Sequence, residues 1–177
     1  MDCDLSGPSM TTRDQESSTS SSRIVLVTGA NGLVGMAVRE QVAAQDHDAN
    51  AKWFFVSSKD ADLRDPKSTE TVFKRVKPTH VLHLAAHVGG LFANMKYQVE
   101  FWRDNMAMQE NIFECCRKFN VQRLVSCLST CIFPDGAPLP MDESMIMQGP
   151  PHFSNRGYAY AKRMVLMLGD LYNEQYG

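Results

Sequence analysis

No stretch of this sequence approaches the roughly 20 consecutive apolar residues that a membrane-crossing helix needs, so no membrane partner is expected. Residues 1–22 lack both the cationic start and the apolar run of a secretory signal. Charge of one sign is missing too. Lys and Arg number 18 against 20 Asp and Glu, a net charge of −2, which leaves no global positive field to hold nucleic acid. Cysteine is sparse: Cys3, Cys115, Cys116, Cys127 and Cys131 are odd in number and form no disulfide framework. Cys127 and Cys131 have no second pair or histidine at zinc-ligand spacing, so no metal is expected. These absences predict a soluble cytosolic chain with reduced thiols. An anionic ligand must then be met by local groups, such as backbone N–H or single cations.

What is present is an alternation of strand and helix. The 177 residues, 44% of them hydrophobic, suit one domain. Residues 1–22, ending in Ser17-Ser18-Thr19-Ser20-Ser21-Ser22, have little to bury and are expected to be a disordered extension. From Arg23 the apolar runs at 24–27, 53–56, 80–84 and 123–128 read as strands. Helical spacing predicts helices over 33–44, 66–76, 97–119 and 158–172, with Pro66 in a first turn. Residues 133–151 hold five of the eight prolines and read as a loop. Alternation with short connections predicts an α/β fold: a Rossmann-type, doubly wound parallel sheet over 23–177 with right-handed crossovers. Ligands of such sheets sit beyond the carboxyl ends of the strands. Gly29, Ala85-Ala86, Ser129 and the Pro-rich loop all follow strand ends.

The segment Thr28-Gly29-Ala30-Asn31-Gly32-Leu33-Val34-Gly35 places glycines three apart between a strand and a helix. One glycine permits a tight turn, another admits a pyrophosphate to bare backbone, and the last lets helix and strand pack closely. The helix N-terminus then offers N–H groups and partial positive charge to phosphates. The end of the second strand distinguishes the nicotinamide cofactors, because an acid there binds the ribose 2′-OH and repels a 2′-phosphate. Ser57-Ser58-Lys59 stands at that place and favours NADP(H). Asp60 and Asp62 follow closely and keep NAD(H) open.

Tyr158 and Lys162 are four apart on an expected helix, so they share a face. An ammonium near a phenol, helped by an oxidised nicotinamide's positive charge, stabilises the phenolate and is expected to lower its pKa from about 10. Ser129, after the fourth strand, can bond the same carbonyl oxygen. Tyr160 has Met164 one turn on and reads as packing. On the residues alone, Lys162 could be a solvated helix lysine and Cys131 a small buried side chain.

Taken in order, these residues resemble the extended short-chain dehydrogenase/reductases that act on nucleotide sugars. The supporting segments are 56–63, 78–81, His83-Leu84-Ala85-Ala86-His87-Val88-Gly89-Gly90-Leu91-Phe92, Ser126-Cys127-Leu128-Ser129-Thr130-Cys131-Ile132-Phe133-Pro134 and Tyr158-Ala159-Tyr160-Ala161-Lys162-Arg163-Met164. The resemblance spans 23–177. It implies an NADPH-dependent epimerase/reductase of a GDP-linked 4-keto sugar, with Tyr158 as proton donor, Lys162 and Ser129 assisting, and Cys131 as acid/base for epimerisation. It also implies cofactor contacts from Gly29 to Gly35, Ser58, Lys59, Asp62, Leu63, Leu84, Ala85, Ala86, Leu128 and Lys162, with Asn105 behind the catalytic group. His83 and His87 are expected to be structural. The resemblance further implies a homodimer paired through the middle and Tyr/Lys helices. Members of the family carry a histidine partner for the cysteine, later strands and a sugar-binding domain after the Tyr/Lys helix; His152 precedes the tyrosine and does not match. The expectation is therefore the cofactor half of such an enzyme, truncated after the Tyr/Lys helix. Another nucleotide-sugar epimerase, dehydratase or reductase, or a non-catalytic NADP-binding and dimerisation module, are the alternatives.

Overall fold

The computed structural model describes residues 22–44 and 50–177; the Ser-rich extension, apart from Ser22, lies outside the described residues. The elements run β1 (Arg23–Thr28), α1 (Leu33–Ala44), β2 (Ala51–Val56), α2 (Pro66–Val76) and β3 (His80–His83), then α3 (Leu91–Lys96), α4 (Gln98–Lys118), β4 (Arg123–Ser126) and α5 (Arg156–Tyr176). The strands form one parallel sheet in the order β2-β1-β3-β4, as the alternation predicts. From β1 the chain steps outward to β2, then crosses back to β3 on the other side. That reversal opens a crevice beyond the carboxyl ends of β1 and β3.

Local chemistry explains the boundaries. Asp65 caps α2 by accepting from the backbone N–H of Ser68 at 2.9 Å, with Pro66 in the first turn. Lys77 ends that helix in a left-handed conformation, φ 50, ahead of Pro78. Val72, Phe73 and Val76 face inward as their spacing predicts, and with Leu26, Val56, Val81, Met108 and Ile112 they make one buried cluster between the sheet and α2 and α4. Successive strand side chains alternate faces, so Phe55 points away from that cluster. Arg39 of α1 lies over its ring, 5.0 Å from the centroid, which puts α1 on the opposite face.

Two features differ from expectation. Residues 91–96 form α3, a single short helix that the Gly89-Gly90 pair obscures in the sequence. Helix α5 starts at Arg156 and reaches Tyr176, longer at both ends than 158–172, because packing against α4 carries it past its apolar repeat. The four described cysteines are free thiols, and no described helix is long and apolar enough to cross a membrane.

Candidate active site

The crevice is a cavity of about 680 Å³. Its floor is the glycine turn. Gly29 has φ +70, and a Cβ there would lie 2.7 Å from the Ala85 nitrogen and 2.8 Å from the Leu84 carbonyl carbon. Backbone therefore meets backbone where β1 and β3 end. A Cβ on Gly35 would overlap the Gly29 carbonyl oxygen and come within 2.8 Å of Ala30 Cα, so only glycine lets α1 start this close to the turn. Such a cradle, opening on a helix N-terminus, fits a pyrophosphate.

Most of the expected cofactor residues share this wall: Gly29, Asn31, Gly32, Leu33, Val34 and Gly35 from the turn, Ser58, Asp62 and Leu63 after β2, and Leu84, Ala85 and Ala86 after β3. Ala30 is fully buried behind the turn. Lys59 is exposed, one residue beyond the lining Ser58, and Leu128 also lies off the wall. Asn105 braces the wall from behind. Its side chain accepts from His87 N at 3.0 Å and donates to the carbonyls of His87 at 2.9 Å and Phe101 at 2.7 Å. His87, expected to be structural, lines the cavity and bonds Asp104 through Nδ1 at 3.1 Å.

The chemistry end is assembled from separate segments. Ser129 caps a short turn, Thr130–Ile132, and the Cys131 thiol donates to its Oγ at 3.2 Å. Tyr158, half-buried on α5, has its hydroxyl within hydrogen-bonding reach of Ser129 and beside the Cys131 thiol. Lys162 is only 3% exposed, and its Nζ donates to the Cys127 carbonyl at 2.9 Å. The structure thus gathers Ser129, Cys131, Tyr158 and Lys162 next to Cys127, which lines the cavity. One expectation is corrected here. Burial raises the Tyr158 pKa above that of a free phenol and the Cys131 thiol adds to the rise, while Ser129 opposes it. Lys162, its own pKa lowered by burial, is turned to a backbone carbonyl and does not depress the phenol. A phenol held in its neutral form is suited to donating a proton.

His83 lies under both ends. It is fully buried, Nδ1 bonds Thr28 Oγ1 at 2.8 Å, and burial pushes its pKa down to about 3, with the Lys162 charge adding to the effect. Thr28 Oγ1 also accepts from Ala85 N at 3.3 Å, which ties the cradle to β3.

Two further residues escape sequence reading. Arg163 is buried and donates to the carbonyls of Ile132 and Gly149, pinning both ends of the Pro-rich loop to α5. Arg64 bonds two carboxylates at the cavity mouth. Neither has a motif to mark it, because Arg64 links Asp62 to Asp104 across 40 positions and Arg163 bonds backbone atoms. Tyr160 packs as expected, its ring 5.2 Å from the Arg163 guanidinium.

Known proteins are similar to this chain in sequence and fold. GDP-L-fucose synthase of Dictyostelium discoideum is 56% identical over 159 residues, 90% of this chain and 49% of that protein. A probable GDP-L-fucose synthase of Drosophila melanogaster is 48% identical over 153 residues, 86% of this chain and 47% of that protein. The crystal structure of a GDP-L-fucose synthetase from Naegleria fowleri bound to NADP superposes with a TM-score of 0.80 at 50% identity, covering 88% of this chain and 49% of that one. The chain therefore spans about half the length of the relatives it matches. The NAD dependent epimerase/dehydratase family matches residues 25–177, and with the glycine cradle and the Tyr158–Lys162 helix at one sheet edge, the chain belongs to that family.

Proposed function

We propose that this chain carries the NADP(H)-binding and proton-donating half of a GDP-L-fucose synthase, which epimerises GDP-4-keto-6-deoxy-mannose at C3 and C5 and reduces it at C4. The observation that carries this reading is the meeting, at one sheet edge, of the glycine cradle with Ser129, Cys131, Tyr158 and Lys162. The cofactor, when bound, supplies the hydride for reduction at C4. The residues do the rest. Gly29 to Gly35 seat the pyrophosphate, and Leu84 to Ala86 line the cleft beside it. Ser58 and the neighbouring Lys59 offer a hydroxyl and a cation to a 2′-phosphate. Tyr158 gives its phenolic proton to the C4 oxygen, and Ser129 holds that oxygen by hydrogen bond. Lys162, one turn from Tyr158 and anchored on the Cys127 carbonyl, would be the residue to hold the nicotinamide ribose. Cys131 exchanges protons next to the ketone, where a carbonyl acidifies the neighbouring C–H.

A second observation favours association with another copy of the chain. Tyr160, Met164, Met167 and Leu171 recur along one stripe of α5, and Val99 and Trp102 on α4 are exposed beside an open groove between these helices. We assign homodimerisation to this surface, as the α4 and α5 pairing implied by the resemblance.

Titration with NADPH, followed by cofactor fluorescence, tests the cofactor half. Saturable binding tighter than that of NADH, and weakened in Lys59→Glu, supports the reading; no binding, or equal binding of both cofactors, overturns it. The substrate is tested in a chimera that joins this chain to the C-terminal half of the Dictyostelium protein. Turnover of GDP-4-keto-6-deoxy-mannose that is lost in Tyr158→Phe supports the assignment, whereas turnover of a different nucleotide keto-sugar alone sinks it.

A further inference from the structure

After β2 the chain reverses within four residues, and that turn carries the side chains offered to a 2′-phosphate. Its root is fixed to the cradle, because Ala30 N donates to the Val56 carbonyl at 3.1 Å. The turn closes like the first turn of a helix, with Asp60 N and Ala61 N donating to the Ser57 carbonyl at 3.0 and 3.3 Å. Asp60 then reaches back. Its Oδ2 accepts from Ser57 N and Ser57 Oγ, both at 2.8 Å, while Ser57 Oγ accepts from Lys59 N at 3.3 Å. This reciprocal pairing of a first and a fourth residue is a capping box. Ser57 is buried, so water is a poor substitute for the carboxylate on its N–H. A hydroxyl has one proton, and that of Ser57 is committed to Asp60. Ser58 and Lys59, both exposed at the corner of the turn, are left to meet an anion.

We infer that Asp60 is a positioning residue for the choice of cofactor: it locks the 57–60 turn so that Ser58 and Lys59 stand ready for a 2′-phosphate. The inference rests on the NADP(H) reading above and names how that site is held. Asp60 itself lies off the cavity wall and acts through its neighbours. Its carboxyl is kept below the usual carboxylate range, first by the Ser57 N–H and then by the Ser57 hydroxyl, with Arg75 and Arg39 adding to the effect. It is therefore ionised at neutral pH, and its charge and its bonds work in opposite senses. Charge alone repels the cofactor with the extra phosphate, but between exposed groups in salt that repulsion is worth about twofold in affinity. Loss of the lock costs more, because Ser58 and Lys59 must then be ordered at the moment of binding. Removing this acid weakens the more negative cofactor, the reverse of what its charge predicts.

The experiment is a matched NADPH and NADH titration of the parent chain, Asp60→Ala and Asp60→Asn, with a thermal melt of each. Asp60→Ala is expected to weaken NADPH about tenfold and to leave NADH within about twofold, since NADH has no 2′-phosphate to place. Asp60→Asn loses the charge but keeps one oxygen to accept both Ser57 bonds, so NADPH stays within about threefold of the parent. Tighter NADPH binding in both variants overturns the inference, because the charge would then outweigh the lock. An unchanged cofactor ratio in Asp60→Ala also overturns it, including the case where both cofactors weaken equally with a lowered melt. An Asn variant as weak as the Ala variant removes the acceptor role and has the same consequence. A parent chain that binds neither cofactor, or both equally, fails the underlying NADP(H) reading instead, and the inference falls with it.

Discussion

The two ends of the crevice are built by different means. The cradle end comes from one contiguous turn, where what matters is the absence of Cβ atoms at Gly29 and Gly35. The chemistry end is gathered from Ser129, Cys131, Tyr158 and Lys162, held by burial, by a cap and by bonds to backbone carbonyls. Damage at the first end is steric and prevents binding. Damage at the second misplaces or removes a proton, and at Tyr158 it leaves binding intact. His83 joins them, bonded to Thr28 on one side and feeling the Lys162 charge on the other.

The largest expected effect therefore strikes both ends together. The unfolded chain protonates a histidine near pH 6.5, whereas folded His83 resists until about pH 3. The stability that neutral His83 brings is complete above pH 6.5 and declines as pH falls, by about 1.4 kcal/mol per unit until pH 3. Urea unfolding between pH 7 and 4 measures that slope, and His83→Gln should flatten it by about one proton; an unchanged slope would show that other groups govern the acid transition.

Next comes the cradle alone. Gly35→Val drives a side chain into the Gly29 carbonyl, and NADPH affinity should fall by about 2–3 kcal/mol, roughly 30- to 150-fold. Fluorescence titration reads this directly, and retained affinity would mean that the turn does not hold the phosphates. A smaller effect belongs to the chemistry end. Arg163→Ala frees the carbonyls of Ile132 and Gly149, and should lower stability by about 1–3 kcal/mol. It should also change the alkylation rate of Cys131, one residue from the released carbonyl. If that rate stays fixed, the loop is not positioned by Arg163. The smallest effect sharpens the contrast most: Tyr158→Phe removes the donor hydroxyl but little volume, so NADPH binding should stay within about twofold. A large loss of binding in that variant would erase the distinction between the two ends.

Much of this molecule was legible before folding was considered. Apolar runs marked all four strands, and the helical spacing with Pro66 in its first turn placed α2 to the residue. The Gly29–Gly35 turn announced its own use, because a phosphate cradle depends on consecutive backbone and is carried by local spacing. Local spacing could not show α3, which is only six residues long and follows two glycines. Nor could it show Arg64 reaching Asp104 across 40 positions, or Arg163 seeking carbonyls rather than a charge. The pKa of Tyr158 also escaped it. The i, i+4 spacing placed Lys162 on the same face, but only the packed structure turns the ammonium to Cys127 and buries the phenol. Periodicity and turn chemistry along the chain set the order of elements and the residue types at each strand end. Tertiary structure alone decided which donors those side chains face and in which protonation state they rest, because desolvation and long-range contacts exist only once the chain is packed.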